Sequence, residues 1–234
     1  MKVQYLTLLF FVFILCTGCT AQKLTRQEPV MFASFEDFRF GPEGGVDLVW
    51  STKRISDEAS LRATLQKYES LILDQTFVVV DRKTAGTLDE KQMLEIPRQM
   101  VHAIESRFGR WFKLVDTPSE NTLRLSIALT NTGSSKPFFA EAAGGSLPAG
   151  IKILTVTKVV AGDHPKEGRT MVELLVSDAR SHEPLIATID KHFSDKNLGT
   201  IIASPVAAKA AISPWVERLW ITLAYWNWIQ SRPP

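Results

Sequence analysis

The chain has 234 residues, with 27 basic and 25 acidic side chains and a net charge of +2. That length can bury one substantial core. The near-balance of charge argues against nucleic acid or an acidic polymer as a partner. The only cysteines, Cys16 and Cys19, lie near the N-terminus. The body therefore carries no disulfide and no thiol nucleophile.

Lys2 opens the chain, and Leu6 to Leu15 follows as an apolar run interrupted only by Thr7. Small residues Thr17 and Gly18 then precede Cys19. This is the anatomy of a secretory signal, too short to span a bilayer comfortably. The cysteine placed directly after the small residues resembles a bacterial lipoprotein signal. The resemblance implies cleavage of residues 1–18, acylation of Cys19 and anchorage of the mature chain in a membrane. Each buried acyl methylene contributes about 0.8 kcal/mol, so several chains anchor a protein almost permanently. Thr20 stands where an aspartate tends to hold such proteins at the inner membrane. It points to the periplasmic face of the outer membrane, with the inner membrane as the alternative. Cys16 departs from the pattern, which usually has an aliphatic residue there.

Residues 19–31 read as a tether and 32–234 as a single domain. Phe32, Phe35, Phe38 and Phe40 are expected to clamp the N-terminal arm onto that domain. Gly41-Pro42-Glu43-Gly44-Gly45 is a turn, followed by an extended piece from Val46 to Trp50. No Lys-Ser or Lys-Thr follows the glycines, so a phosphate cradle is not expected. Ser56 to Lys67 has helical composition. Tyr68 to Val80 reads as a long strand bulged near Asp74-Gln75. Thr87 and Glu90 have capping-box spacing for a helix ending near Phe108. Met93, Ile96, Met100, Ile104 and Phe108 share its apolar face, and Pro97 should kink it or mark a second start.

Phe112 to Val115 is a short strand. Leu123, Leu125, Ile127 and Leu129 alternate with Arg124, Ser126 and Ala128, the pattern of a half-buried strand. Asn131 to Lys136 is a loop. Ile151 to Val160 has strand-like β-branched content but also suits a packed helix. Thr170–Val176 and Leu185–Asp190 form a hairpin with a long loop. An alanine-rich stretch from Ile202 to Ile212 leads to Pro214, which is expected to open a terminal helix from Trp215 to about Gln230. The fold class is α+β: a single mixed or mostly antiparallel sheet, helices packed on one face, and an amphipathic C-terminal helix.

Several segments together resemble a family of bacterial lipoproteins known as domain of unknown function 3313. They begin with Phe35-x-x-Phe38 and the run Gly41-Pro42-Glu43-Gly44-Gly45-Val46-Asp47-Leu48-Val49. Tyr68-x-x-Leu71-Ile72-Leu73-Asp74, the strand from Leu123 to Thr130, and Ala143-Gly144-Gly145 continue the pattern. Glu173-Leu174-Leu175-Val176-Ser177-Asp178 and Trp215 complete it. The chain departs at Gln75, where the family often has proline. The resemblance implies an envelope location, an α+β fold and a helix over Ile151–Val160. It implies no reaction.

The side chains that carry chemistry form no recognisable catalytic motif. His102, His164, His182 and His192 lack the spacing that puts two ligands on one helix face. No Gly-x-Ser-x-Gly elbow occurs. Asp57-Glu58 sits near a helix start, where acids favour the dipole. Asp74 and Asp81 flank a strand run and are expected to satisfy turn amides. No catalytic residue, metal or cofactor is therefore expected, and the protein is read as no enzyme. The expected function is that of a membrane-anchored, non-catalytic module that binds or supports another envelope protein. Binding a small apolar ligand, lipid or glycan is the alternative; an unrecognised hydrolase comes third. On the terminal helix, Trp215, Val216, Leu219, Thr222, Leu223, Trp226 and Ile229 share the docking face. Ile221, Tyr225 and Trp228 lie on the other side and are the candidate partner-binding residues, unless the Phe32–Phe40 arm covers them.

Overall fold

A computed structural model describes residues 31–55, 57–81, 90–131, 136–143, 157–162 and 169–225. Their strands are β1 (Arg39–Phe40), β2 (Leu48–Ser51), β3 (Ser70–Asp81), β4 (Lys113–Leu114), β5 (Thr122–Asn131), β6 (Thr157–Gly162), β7 (Thr170–Asp178) and β8 (Pro184–Ser194). The helices are α1 (Glu58–Leu65), α2 (Glu90–Phe108), α3 (Phe138–Ala143), α4 (Leu198–Ala203) and α5 (Pro205–Tyr225). All the strands join one sheet in the order β1-β2-β8-β7-β5-β3-β4, with β6 also paired to β3. β3 runs parallel to β4, β5 and β6; the remaining pairs are antiparallel. The chain is thus an α+β fold with one mixed sheet and helices packed against it.

Side-chain alternation sets the two faces of the sheet. Leu123, Leu125, Ile127 and Leu129 of β5 are buried in the main core, with Val172, Leu174 and Val176 of β7 beside them. Against them pack Ile96, Met100, Ile104 and Phe108 of α2 and Trp215, Val216, Leu219 and Leu223 of α5. Leu61 and Leu65 of α1 and Leu198, Ile201 and Ile202 of α4 complete the layer. In β3 the register slips by one residue between Leu73 and Thr76, at the expected Asp74-Gln75 bulge. The extra residue puts Val78 in the main core and turns Phe77 to the opposite face.

That opposite face holds a smaller cluster of Phe32, Phe77, Ala128, Phe139, Leu175 and Ala187. α3 is fixed to it by buried Glu173 of β7, which accepts from the amides of Phe138 (2.8 Å) and Phe139 (3.4 Å). The N-terminal arm covers the other part. Phe32 lies edge-on to Phe38 and Trp50, with ring centroids 4.7 and 5.3 Å apart. The clamp expected of four phenylalanines is thus made by Phe32 and Phe38, while Phe40 points into solvent.

Two sequence expectations need correction. The terminal helix does not open at Pro214; α5 opens at Pro205 and carries Pro214 inside it. Ser204 caps it, its hydroxyl accepting from the Ala207 amide (3.2 Å) and its carbonyl from the Ala208 amide (2.9 Å). Proline fits the first turn because its missing N–H has no intrahelical partner there. Pro214 is tolerated because its ring sits on the exposed side of the helix. Second, the helix implied over Ile151–Val160 is absent from the described part of that segment. Thr157–Gly162 is β6, paired parallel to Thr76–Asp81. Its β-branched residues extend an edge that a helix would have left unpaired. Among the described residues no helix is long and apolar enough to cross a membrane.

Candidate functional site

Among the described residues, a group of chemistry-bearing side chains, Asp47, Asp190 and His192, gathers where β2, β8 and α5 meet. The register Leu48↔Ile189 brings Asp47, just before β2, beside the residues that follow Ile189. Asp47 Oδ2 accepts from the amides of Lys191 (2.6 Å) and His192 (3.2 Å). The His192 ring nitrogen Nδ1 lies 2.8 and 2.9 Å from the two Asp47 oxygens. Asp190 points to the helix face, where it is fully buried. Arg218 of α5 forks onto it, with Nε donating to Oδ2 at 2.8 Å and Nη2 to Oδ1. The ring of contacts closes through Thr222, whose hydroxyl donates to the Arg218 carbonyl (2.9 Å) and accepts from the Val46 amide (2.9 Å).

The electrostatics follow from this wiring. Burial pushes the Asp190 carboxyl up, and the Arg218 guanidinium pulls against it. Burial acts on Asp47 too, but the hydrogen bonds from His192 and Lys191 and the charges of His192 and Arg218 outweigh it and hold Asp47 below the usual carboxylate range. Asp47, Asp190 and His192 offer oxygen and nitrogen atoms within 4.8 Å of one another, donor types that suit a divalent cation. Yet both Asp190 oxygens already face a guanidinium, and both Asp47 oxygens accept from the chain. A cation would have to displace or sit against Arg218. The arrangement is a charge-compensated clamp that ties the start of β2 to the last strand and last helix.

A second lock closes the β7–β8 hairpin. Tyr68 is fully buried, and its hydroxyl donates to Asp178 Oδ2 at 2.8 Å. Asp178 Oδ1 accepts from the amides of Arg180 (3.0 Å) and Ser181 (2.8 Å). Burial raises the Asp178 carboxyl, but these donors outweigh it and leave it lowered. The Tyr68 phenol is raised well above its ordinary value by burial and by the Asp178 charge.

The outer surface of the helix layer carries a groove of about 640 Å³ between α2 and α5, lined among others by Arg98, His102, Arg107, Lys209, Ser213 and Glu217. Arg107 Nε and Nη2 each donate to Glu217 at 3.0 Å. The same guanidinium lies 3.9 Å above the Trp220 ring, which packs on Trp111 at 4.4 Å. Inside the core, a gap lined by Leu71, Phe112, Leu125 and Leu219 measures only about 20 Å³. That is room for about one water molecule and not for a ligand.

Of the partner-binding candidates singled out in the sequence, Ile221 and Tyr225 are described, one turn apart on α5. Ile221 is half-buried and lies against Gly44, in the left-handed region at φ +73°. Tyr225 is 66 % exposed and joins Arg39, Phe40, Gly41 and Pro42 around a shallow hollow of about 310 Å³. Cys19 and Trp228 lie outside the described residues. Asp74, expected to satisfy turn amides, pairs instead with Arg124 at 3.0 Å and accepts from the Ser126 hydroxyl at 3.2 Å. Sequence reasoning missed the Asp47–Asp190–His192–Arg218 clamp, although one signal was present. Arg218 is a charge beside the apolar stripe of a buried helix, and such a charge needs a partner.

A family model described as Protein of unknown function (DUF3313) matches residues 59–219. No curated protein and no solved structure matches the chain.

Proposed function

The chain belongs to the DUF3313 family of proteins of unknown function, and from that premise we propose that it is a non-catalytic lipoprotein of the bacterial envelope, acylated at Cys19, that binds another envelope protein. The signal-like N-terminus supports the anchor. The single observation that supports binding is the groove between α2 and α5. There Arg107, paired to Glu217, lines the groove and lies over the ring of Trp220, which meets Trp111 at a tilt beside it. Arginine and tryptophan are the side chains that carry most binding energy at protein contacts. Exposed Arg98 and Lys209 on the rim suit acidic side chains on the partner. The core gap gives no support to an internal apolar ligand.

The test is in-cell photo-crosslinking from a probe at Ser213, in the acylated chain. One envelope protein should be captured. The double charge reversal Arg98→Glu, Lys209→Glu should lose it without lowering the melting temperature. Capture that survives the reversal would sink the groove as the contact. Cys19→Ala should release the chain from the membrane fraction; a variant that still pellets with membranes in high salt would sink the anchor.

A further inference from the structure

Three large apolar side chains stand out in solvent among the described residues: Phe40 (88 % exposed), Val206 (81 %) and Tyr225 (66 %). Phe40 and Tyr225 share the hollow with Arg39. Val206 sits in the first turn of α5, the opposite end of that helix from Tyr225. The arm enters the domain at the Phe40 corner. Phe32 packs on Phe38 and on Trp50 of β2, and β1 then carries Phe40 outward along the edge of the sheet. Residues 20–30 separate Cys19 from Met31. Whatever its conformation, that length of chain reaches at most about 43 Å. A domain of this size has a radius of gyration of about 16 Å. An anchor at Cys19 therefore keeps this corner within about one domain diameter of the bilayer.

Resting on the reading that Cys19 is acylated, we propose that the Phe40–Tyr225 corner seats on the lipid surface itself. Tyrosine and phenylalanine beside an arginine are the composition that settles at headgroup level, with rings toward the acyl boundary and charge toward phosphate. Asp57, the acid lining the hollow, is occupied as the cap of α1, where it accepts from the Ser60 amide at 2.8 Å. The contact rests on aromatic insertion, so salt does not release it. The seating orients the molecule: the charged half of the groove around Lys209 lies more than two helical turns along α5 from Tyr225, directed away from that contact.

The experiment uses the acylated chain in phosphatidylcholine vesicles containing a phospholipid with a photoreactive diazirine near its headgroup. Adducts are mapped by mass spectrometry. Lipid adducts should concentrate on the segments holding Phe40 and Tyr225, exceeding those at Val206 on the order of tenfold, in low and high salt alike. Phe40→Ser, Tyr225→Ser should remove most adducts at Arg39–Pro42 and leave the melting temperature unchanged. Adducts spread evenly, concentrated at Val206, or lost in high salt would overturn the proposal, as would in-cell capture of a protein at this corner. If the intact mass shows no acyl chains, the anchor reading fails by itself. The same mapping, with the Cys19 thiol coupled to a maleimide phospholipid, then decides the corner by the same adduct pattern.

Discussion

Arg218 and Asp190 meet in a two-pronged ion pair between α5 and β8, with the carboxylate entirely removed from solvent. Such a pair adds little net stability over apolar residues of similar volume, because Asp190 loses all of its hydration and Arg218 most of it. Breaking it from one side is another matter. Arg218→Ala leaves a buried, uncompensated carboxylate and should cost about 3–5 kcal/mol at pH 7. Burial already raises Asp190, so without Arg218 it should take up a proton more readily. A raised carboxyl favours the folded state at low pH and loses that contribution as pH rises through the folded value. The deficit relative to wild type should therefore shrink between pH 7 and about pH 4.5 in urea melts. A deficit independent of pH would show that Asp190 stays charged in the variant.

Tyr68→Phe removes one hydroxyl and nothing else. It should cost about 1.5–3 kcal/mol at neutral pH, the range for a hydrogen bond to a charged group. The two partners shift in opposite directions. Lowered Asp178 contributes stability above its unfolded value that is lost as pH falls through the folded one. Raised Tyr68 contributes stability below its unfolded value, near pH 10, that is lost as pH rises beyond it. The wild-type advantage over Tyr68→Phe should thus be greatest between about pH 4 and pH 10 and decline on both sides. Denaturant midpoints across that range measure it, and an advantage still growing below pH 4 would refute the assignment.

The two faces of β5 should respond differently. Leu125→Ala opens the main core and should cost about 2–5 kcal/mol. Arg124 is on the other face but is not a free surface side chain, since it pairs with partly buried Asp74. Arg124→Ala should cost about 1–3 kcal/mol, more than a solvated arginine would. Urea melts with an Arg124→Ala, Asp74→Ala cycle would isolate the pair, and a coupling energy of zero would remove its structural role.

The prolines of α5 make a matched test. Pro214 forfeits an interior hydrogen bond on an exposed face, so Pro214→Ala should stabilise the protein by about 1–3 kcal/mol. Pro205 occupies the first helical position, so Pro205→Ala should change little. If Pro205→Ala proved as stabilising as Pro214→Ala in thermal melts, the helix start would be misplaced.

Much of this fold was readable from local pattern. The alternation through Leu129, the Ile96–Met100–Ile104–Phe108 stripe, the bulge at Asp74-Gln75 and the β7–β8 hairpin all depend on neighbours in sequence. What escaped depends on distance. Pro214 looked like a helix start because its position relative to Pro205 is decided by how far the buried stripe of Ala208, Ala211 and Ile212 extends back along the core. β6 is a strand because β3 offers it an edge, which its own residues do not announce. The clamp was invisible for the same reason: Asp47, His192 and Arg218 arrive from three separate segments, and none has a motif around it. The exposure of Phe40 beside the two clamping phenylalanines, Phe32 and Phe38, likewise follows from the turn at β1, not from composition.

Synthesis runs from the N-terminus, but β2, which carries β1 on its outer edge, pairs inward only with β8. Leu48 pairs with Ile189, and Val46 waits for Thr222 near the end of α5. A chain cut short before that helix could still pair β2 with β8, but the Val46 amide and the buried Asp190 carboxylate would lose Thr222 and Arg218, and the core face of the sheet under α5 would stay bare. Incomplete copies would then carry an open apolar face that proteases can find. The joint between the first and last segments thus works as a check on completeness, closing only on molecules whose final turns have been made.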